Sequence, residues 1–208
     1  MAVVFFNEKR KGNIVAVWKI EESENELLKM LPINDEIDSK LKTFQRQSRK
    51  LEWLASRVLL YKFTDFIPLV KYNEIGQPYI PELNKNISIS HTINYAAIAI
   101  SDSSSVGVDI EHPKERILRV AERFIHPEEN AYIPHGEEVN YYTLIWCAKE
   151  TLFKMLNRTG IIFNKELYIK EFNLENEGVL NAIEVYGNKT EYILSYIITP
   201  QFHLVWHC

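Results

Sequence analysis

The chain has 208 residues, of which 46% are hydrophobic, so it can bury one large core or two smaller ones. Its formal net charge is −4, with 24 basic and 28 acidic residues, which argues against a protein that binds nucleic acid over a broad surface. Two cysteines, Cys147 and Cys208, are too few for a disulfide framework. The N-terminal apolar run is too short for a signal peptide or a membrane span, so we expect a cytoplasmic protein without membrane contact.

The first half of the chain predicts strands at both ends and helices between them. Ser23 and Glu26 form a capping-box pattern, and apolar residues then recur at threes and fours until Pro68. The predicted elements, in chain order, are a strand Ala2–Phe6, a polar turn Asn7–Asn13, a strand Ile14–Ile20, a capped helix ending at Met30, a long helix Glu36–Phe66, a turn Gly76–Pro81, and strands Ile87–Ser90 and Tyr95–Ser101.

The polar run Ser101–Ser105 predicts a loop and a boundary between two lobes, residues 1–103 and 104–208. The second lobe is predicted to contain a strand Val106–Glu111, helices Ile117–Phe124 and Glu137–Leu156, and strands Leu167–Leu174, Val179–Tyr186, Glu191–Thr199 and Phe202–His207. Each half thus contains both helix and sheet, which predicts an α+β protein.

Acidic residues in two segments form the clearest candidate site. Strand alternation sends Asp109 and Glu111 to one face, and Glu150 and Lys154, four residues apart, share one side of a helix. If strand and helix meet, three carboxylates converge. At an effective dielectric of about 20, two unit charges about 4 Å apart repel by roughly 4 kcal/mol, which favours a bound cation such as Mg²⁺. The alternative is a solvated strand end beside a helical ion pair.

Basic residues suggest a phosphate site. Ser90 and His91 follow a strand, where a hydroxyl and an imidazole can bind a phosphate oxygen, although a capped turn is the alternative. The first long helix is rich in positive charge, which indicates either a solvated face or a site for a phosphate monoester. The helix residues concerned are Lys40, Lys42, Arg46, Arg49, Lys50 and Arg57. Lys149 and Lys154 flank Glu150, so they can neutralise charge on a transferring phosphoryl group.

Taken together, these segments resemble the 4′-phosphopantetheinyl transferases of the larger Sfp-type group. The family's paired motif (I/V)G(I/V)D…(W/F)…KE…K is matched by Val106–Glu111 and Trp146–Lys154. Further matches are Gly76-Gln77-Pro78 to a G-K-P motif, Ile87–His91 to (F/I)(N/S)(I/L)SH, and Arg49–Arg57 to R…E(F/W)LAGR. The resemblance covers roughly Arg46 to Lys154. It departs from the family at Gln77, where a neutral amide replaces a lysine.

The resemblance implies an enzyme that moves the phosphopantetheine arm of coenzyme A to a serine of an apo acyl- or peptidyl-carrier protein, releasing adenosine 3′,5′-bisphosphate. It implies Mg²⁺ held by Asp109, Glu111 and Glu150, with Asp109, Glu150 and Lys154 as catalytic residues. The residues implied to bind coenzyme A are Arg46, Arg49, Arg57, Gln77, Pro78, Ser90, His91, Lys149 and Lys154. The base stays open between Glu150, Glu129 and a metal-held water.

The length resembles that of the fused, pseudo-dimeric members of the family. This implies a monomer with two similar α+β lobes related by a pseudo-twofold axis, and an active site in the cleft between them. Two rival functions remain: a Mg²⁺-dependent phosphohydrolase, and a non-catalytic module that binds coenzyme A or a carrier. The carrier protein that the chain serves is not evident from the motifs.

Overall fold

The computed structural model describes residues 3–32, 35–64, 69–81, 83–103, 105–156, 158–186 and 189–208. The protein is a mixed α/β structure that divides into two compact units, Met1–Val106 together with Cys208, and Gly107–His207. Each unit has its own sheet and its own cluster of buried apolar side chains. None of the helices within these ranges combines the length and the hydropathy needed to cross a membrane.

The N-terminal unit contains a four-stranded antiparallel sheet. Its strands are β1 (Val3–Arg10), β2 (Asn13–Lys19), β5 (Asn86–Thr92) and β6 (Tyr95–Ser101), in the spatial order β1-β2-β6-β5. The predicted hairpin and the two later strands are confirmed. The predicted polar turn Asn7–Asn13 is too long, because β1 stays paired with β2 as far as Arg10. On this edge strand the side chains of Glu8, Lys9 and Arg10 remain exposed to solvent. Residue Ala2 of the predicted strand lies outside the described residues.

Three helices belong to this unit: α1 (Glu24–Lys29), α2 (Asp35–Leu41) and α3 (Gln47–Thr64). The capping box of α1 is confirmed, since Glu26 N donates to Ser23 Oγ at 3.4 Å and Ser23 N donates to the Glu26 carboxylate at 2.8 Å. A short two-stranded sheet pairs β3 (Lys71–Tyr72) with β4 (Pro78–Tyr79), so the predicted turn Gly76–Pro81 is placed too late: β4 lies within it, and the observed turn precedes β4.

The prediction of one helix from Glu36 to Phe66 is wrong, because the chain leaves the helix after Leu41 and re-enters it at Gln47. Thr43 Oγ1 donates to the carbonyl of Lys40 at 2.7 Å, which satisfies one of the last carbonyls of α2. Phe44 packs against Trp53 of α3, with ring centroids 6.0 Å apart, so the break is stabilised by packing. The predicted end at Phe66 and Pro68 lies outside the described residues.

The C-terminal unit contains a five-stranded antiparallel sheet with the order β7-β11-β10-β9-β8. Its strands are β7 (Gly107–Glu111), β8 (Leu167–Ile169), β9 (Glu177–Glu184), β10 (Thr190–Ile198) and β11 (His203–His207). The helix α4 (Glu138–Met155) packs across β7 and β11, and a short helix α5 (Phe163–Glu166) precedes β8. The predicted acidic strand, the long helix and the last three strands are therefore confirmed.

Two predictions for this unit are wrong. The segment Ile117–Phe124 is not an α-helix: it forms 3₁₀ turns at Glu115–Arg119 and Ala121–Arg123, separated by Val120 at φ −118° and ψ 0°. The strand predicted as Leu167–Leu174 ends at Ile169, because the chain leaves the sheet after Lys170 N donates to the carbonyl of Asn181. A further 3₁₀ segment, Pro127–Tyr132, was not predicted.

Candidate active site

Gly107 allows α4 to approach β7 more closely than any other residue would. A Cβ atom at this position would lie 2.6 Å from the carbonyl oxygen of Thr151 and 2.8 Å from Cγ of Met155. The face of β7 that carries Gly107 is therefore turned towards α4. Because strand residues alternate, Asp109 and Glu111 lie on this same face. The glycine of the acidic motif thus brings the strand carboxylates next to the helix that carries Glu150.

Lys154 connects α4 directly to the acidic strand. Its Nζ donates to Oδ1 of Asp109 at 2.7 Å and to the carbonyl of Val108 at 2.9 Å. The Asp109 side chain is 7% exposed and that of Lys154 is 25% exposed, so this ion pair is largely shielded from water. Two of the three predicted catalytic residues are therefore in contact.

Glu150 lies within electrostatic reach of the same residues. The pKa of Glu150 is raised to about 7: burial is the largest cause, the negative charges of Asp109 and Glu111 add to it, and Lys154 opposes them. The three predicted metal ligands thus repel one another, as the sequence motif led us to expect. Carboxylate oxygens are ligands that suit Mg²⁺. Within the described residues, however, no three His, Cys, Asp or Glu side chains are already arranged around one metal position.

Cys147 lies on the sheet side of α4, beneath this cluster. The side chain is fully buried, and its Sγ lies 3.9 Å from the carbonyl oxygen of His203. Burial and the nearby charge of Asp109 raise the pKa of the thiol well above its ordinary value, so it stays protonated. This placement agrees with Cys147 acting as a small apolar side chain.

Lys149 is not directed towards the acidic cluster. Its Nζ is fully buried and donates to the Glu129 carboxylate at 2.7 Å, to the carbonyl of Phe124 at 2.7 Å and to the carbonyl of Phe163 at 3.3 Å. Burial lowers the pKa of Lys149 to about 8, while the Glu129 charge opposes that shift. The predicted contact of Lys149 with ligand phosphates finds no support in this geometry.

Glu129 completes this buried pair. Its carboxylate also accepts hydrogen bonds from His126 N at 2.6 Å and from Ile169 N at 2.7 Å. Burial is the main cause that raises the pKa of Glu129, and the hydrogen bonds and Lys149 act against it. A carboxylate with three donors and no exposure to solvent holds neighbouring segments together and is poorly placed to accept a proton from a substrate.

In the N-terminal unit, the structure brings Arg49 and His91 together. One guanidinium nitrogen of Arg49 lies 3.0 Å from Nε2 of His91 and 3.1 Å from the Glu52 carboxylate. Nδ1 of His91 lies 3.4 Å from the same carboxylate. Ser90, the residue before His91, is buried. A cation and an imidazole side by side form a suitable site for a phosphate group.

Arg57 is separate from this exposed group. It is only 3% exposed, its guanidinium lies 4.3 Å from the centre of the Trp53 ring, and it donates to Ser56 Oγ at 2.9 Å. Burial lowers the pKa of Arg57, although the group remains a cation. Arg57 lines a cavity of about 550 Å³ together with Lys40, Trp53 and Tyr72.

The remaining predicted ligand residues lie on the surface. Arg46 is exposed immediately before α3, at the position where the helix begins. Gln77 lies in a turn in which its backbone N donates to Asn73 Oδ1 at 2.8 Å, and Pro78 starts β4. Gly76 permits this turn, since its φ is +83°.

His203 is a polar residue of this region that is not among the predicted site residues, because the sequence alone does not favour a metal site formed with His207 and Cys208. It is 0% exposed on β11, directly opposite Glu111 in the β7–β11 ladder. Burial lowers the pKa of His203 to about 4, so the ring is neutral. The alternation of His203 with Val205 and His207 was the available signal, but it does not distinguish a residue beside the carboxylates from an ordinary core histidine.

Comparison with known proteins agrees with the motifs. A family model described as the 4′-phosphopantetheinyl transferase superfamily matches residues 105–198, which include the acidic strand and α4. 4′-Phosphopantetheinyl transferase AcpT of Escherichia coli K12 is 31% identical over 113 residues, 51% of this chain and 57% of AcpT. 4′-Phosphopantetheinyl transferase Sfp of Bacillus subtilis 168 is 33% identical over 85 residues, 39% of this chain and 38% of Sfp.

A Haemophilus influenzae protein, provisionally named as a 4′-phosphopantetheinyl transferase, is 30% identical over 153 residues, 69% of this chain and 65% of that protein. The chain thus spans less than two thirds of the length of each of these relatives. The family match covers the segment in which Asp109, Glu150 and Lys154 come together. In its motifs and in these matches, the chain is similar to the 4′-phosphopantetheinyl transferase superfamily, most directly over residues 105–198.

Proposed function

We propose that the chain transfers the 4′-phosphopantetheine arm of coenzyme A to a serine hydroxyl of an apo acyl- or peptidyl-carrier protein, with release of adenosine 3′,5′-bisphosphate. The observation that carries this proposal is the meeting of Asp109, Lys154 and Glu150 within the segment that matches the family. The reaction is a displacement at one phosphorus of a pyrophosphate. It therefore requires positioning and charge neutralisation, and no nucleophile from this chain.

Asp109, Glu111 and Glu150 are the proposed holders of Mg²⁺, because the three carboxylates influence one another electrostatically and offer oxygen ligands. When bound, the ion supplies Lewis-acid stabilisation of charge on the pyrophosphate oxygens. Lys154 contributes a second positive charge from α4, and it keeps Asp109 in place when no ligand is bound.

Glu150 is the favoured base for the incoming serine. A pKa of about 7 in the absence of ligand gives its carboxylate a useful affinity for a proton near neutral pH. Glu129 is the weaker candidate, since its carboxylate is buried and already accepts three hydrogen bonds. A divalent ion on Glu150 would lower this pKa, so the value near 7 applies to the metal-free protein and Glu150 would be a weaker base with the ion bound.

The nucleotide end of coenzyme A is proposed to bind to residues of the N-terminal unit. Arg49 and His91 are the favoured ligands of its 3′-phosphate, because they lie side by side and are accessible. The further proposed contacts are Arg46, Arg57, Ser90, Gln77 and Pro78. The two-lobed, pseudo-twofold architecture of a monomer, with lobes at residues 1–103 and 104–208, belongs to the same proposal.

The test is transfer to a panel of apo carrier proteins, from fatty-acid, polyketide and peptide synthases. Each carrier is incubated with the protein, coenzyme A and Mg²⁺, and its mass is then measured. A gain of one phosphopantetheine arm on the carrier serine is expected. Hydrolysis of a simple phosphoester without any carrier modification would favour a phosphohydrolase and refute the proposal.

A variant separates catalysis from mere binding. Glu150→Gln should lower the transfer rate by roughly 10²–10⁴-fold, the usual contribution of a proton acceptor, while the fold is retained. Glu177→Gln, which changes an exposed carboxylate on β9, is the matched control and should transfer at the wild-type rate. An unchanged transfer rate in Glu150→Gln would show that Glu150 has no role in the mechanism. If the wild type binds coenzyme A but does not transfer the arm, a non-catalytic module would be favoured.

A further inference from the structure

His203 is a buried polar side chain that the proposed mechanism does not use. Neither of its ring nitrogens has a hydrogen-bond partner in the part of the chain that the structure describes. A neutral imidazole offers one donor and one acceptor, and burying these groups unsatisfied costs stability. An apolar side chain of similar size would fill this position without that cost. The presence of histidine here therefore calls for an explanation outside the stability of the metal-free chain.

The position of His203 in the sheet explains why a histidine is present there. His203 pairs with Glu111 on one side and with Ile198 of β10 on the other. The face of β7 that carries Gly107 is turned to α4, and by alternation Glu111 shares that face. Residues directly opposite in an antiparallel ladder point to the same side, with Cβ atoms about 4.5–5.5 Å apart. The imidazole of His203 and the carboxylate of Glu111 are therefore neighbours.

The geometry points to His203 as a positioning residue for Glu111 when a divalent cation occupies the acidic cluster. In that state Glu111 would help to hold the cation, and its carboxylate would accept the N–H of His203. This inference rests on the proposed function, which assigns Glu111 to the metal. Carboxylates that bind metals are usually held by a second hydrogen bond, and loss of that bond typically weakens metal affinity 10–100-fold.

The decisive substitution is His203→Leu, which removes both nitrogens and keeps a side chain of similar volume. Without metal, the variant should unfold at a temperature about 2–6 °C higher than the wild type, because the unsatisfied polar ring is gone. Its dissociation constant for Mn²⁺, measured by electron paramagnetic resonance in the presence of coenzyme A, should rise about 10–100-fold. If His203 only stabilised the fold, His203→Leu would instead unfold at a lower temperature than the wild type in the absence of metal.

Two further variants serve as controls. His203→Gln retains an N–H at about the distance of Nε2, so Mn²⁺ affinity should return to within about threefold of the wild type. His207→Leu changes a histidine on the same strand and face, which pairs with Gly107 and contacts the carbonyl of Ile193 at 2.8 Å. This variant should bind Mn²⁺ as the wild type does.

The outcomes are distinguishable. Higher stability with weaker Mn²⁺ binding in His203→Leu, together with recovery in His203→Gln, supports the inference. Unchanged Mn²⁺ affinity or lower metal-free stability in His203→Leu, in a wild type that transfers phosphopantetheine, overturns the inference alone. A wild type that neither transfers nor binds Mn²⁺ overturns the proposed function and this inference with it.

Discussion

Replacing Glu150 by glutamine should stabilise the metal-free protein at high pH and have little effect at low pH. The pKa of Glu150 is raised in the folded state, from an ordinary value of 4.5 to about 7. Below pH 4.5 the carboxyl is protonated in both folded and unfolded chains, so folding carries no penalty. Between pH 4.5 and 7 the unfolded chain ionises first, and the folded state loses stability as the pH rises. Above pH 7 the loss reaches about 3 kcal/mol.

Urea denaturation of the wild type and Glu150→Gln, in the presence of a chelator, measures this effect. At pH 8 the variant should be more stable by about 2–3 kcal/mol, and near pH 4.5 the difference should fall below about 0.5 kcal/mol. Mg²⁺ should then stabilise the wild type more than the variant, because only the wild type has the third carboxylate. Glu177→Gln controls for the loss of one negative charge. A variant whose stability differs from that of the wild type by the same amount at both pH values would show that the pKa of Glu150 is not raised in the folded protein.

Three further substitutions test the site. Gly107→Ala places a Cβ within 2.6 Å of a backbone oxygen, so α4 must shift. We expect about 1–3 kcal/mol of destabilisation in denaturant titrations, together with a lower kcat. A variant with the wild-type kcat would contradict this expectation. Lys149→Met leaves the Glu129 carboxylate buried without its cation, so it should lower the free energy of unfolding by about 3–5 kcal/mol. Adding Glu129→Gln to this variant should recover part of the lost stability. Weaker coenzyme A binding at unchanged stability would instead show that Lys149 binds the ligand. Arg49→Ala should raise the KM for coenzyme A about tenfold or more and change the KM for dephospho-coenzyme A little. Equal changes in the two KM values would show that Arg49 does not bind the 3′-phosphate.

The sequence predicted those strands and helices in which apolar and polar residues recur with a regular spacing. Alternation in Val106–Glu111 predicted both the strand and the common face of Asp109 and Glu111, and spacing by four predicted the helix that carries Glu150. The motif resemblance, which covers roughly Arg46 to Lys154, overlaps the family match at the acidic strand and the helix that carries Glu150. Local periodicity is sufficient here because the strand and the helix are both amphipathic and long enough to be specified by their own residues.

Other features depend on contacts that no local pattern contains. The helix break before Gln47 is invisible in the apolar spacing, because Phe44 continues the period while its ring packs on Trp53. Lys149 and Lys154 look equivalent beside Glu150, yet one is enclosed with Glu129 and the other reaches Asp109. Periodicity indicates which side of an element is buried, but the partner of a buried charge depends on segments far away in the chain.

The Glu129–Lys149 pair has a consequence for how this unit opens. These two side chains join the backbone of His126, Phe124, Phe163 and Ile169 through hydrogen bonds. None of these segments can detach without exposing the buried charges, so their fluctuations should be coupled. In amide hydrogen exchange, the N–H groups of His126 and Ile169 should therefore exchange with similar free energies of opening, although they are far apart in sequence.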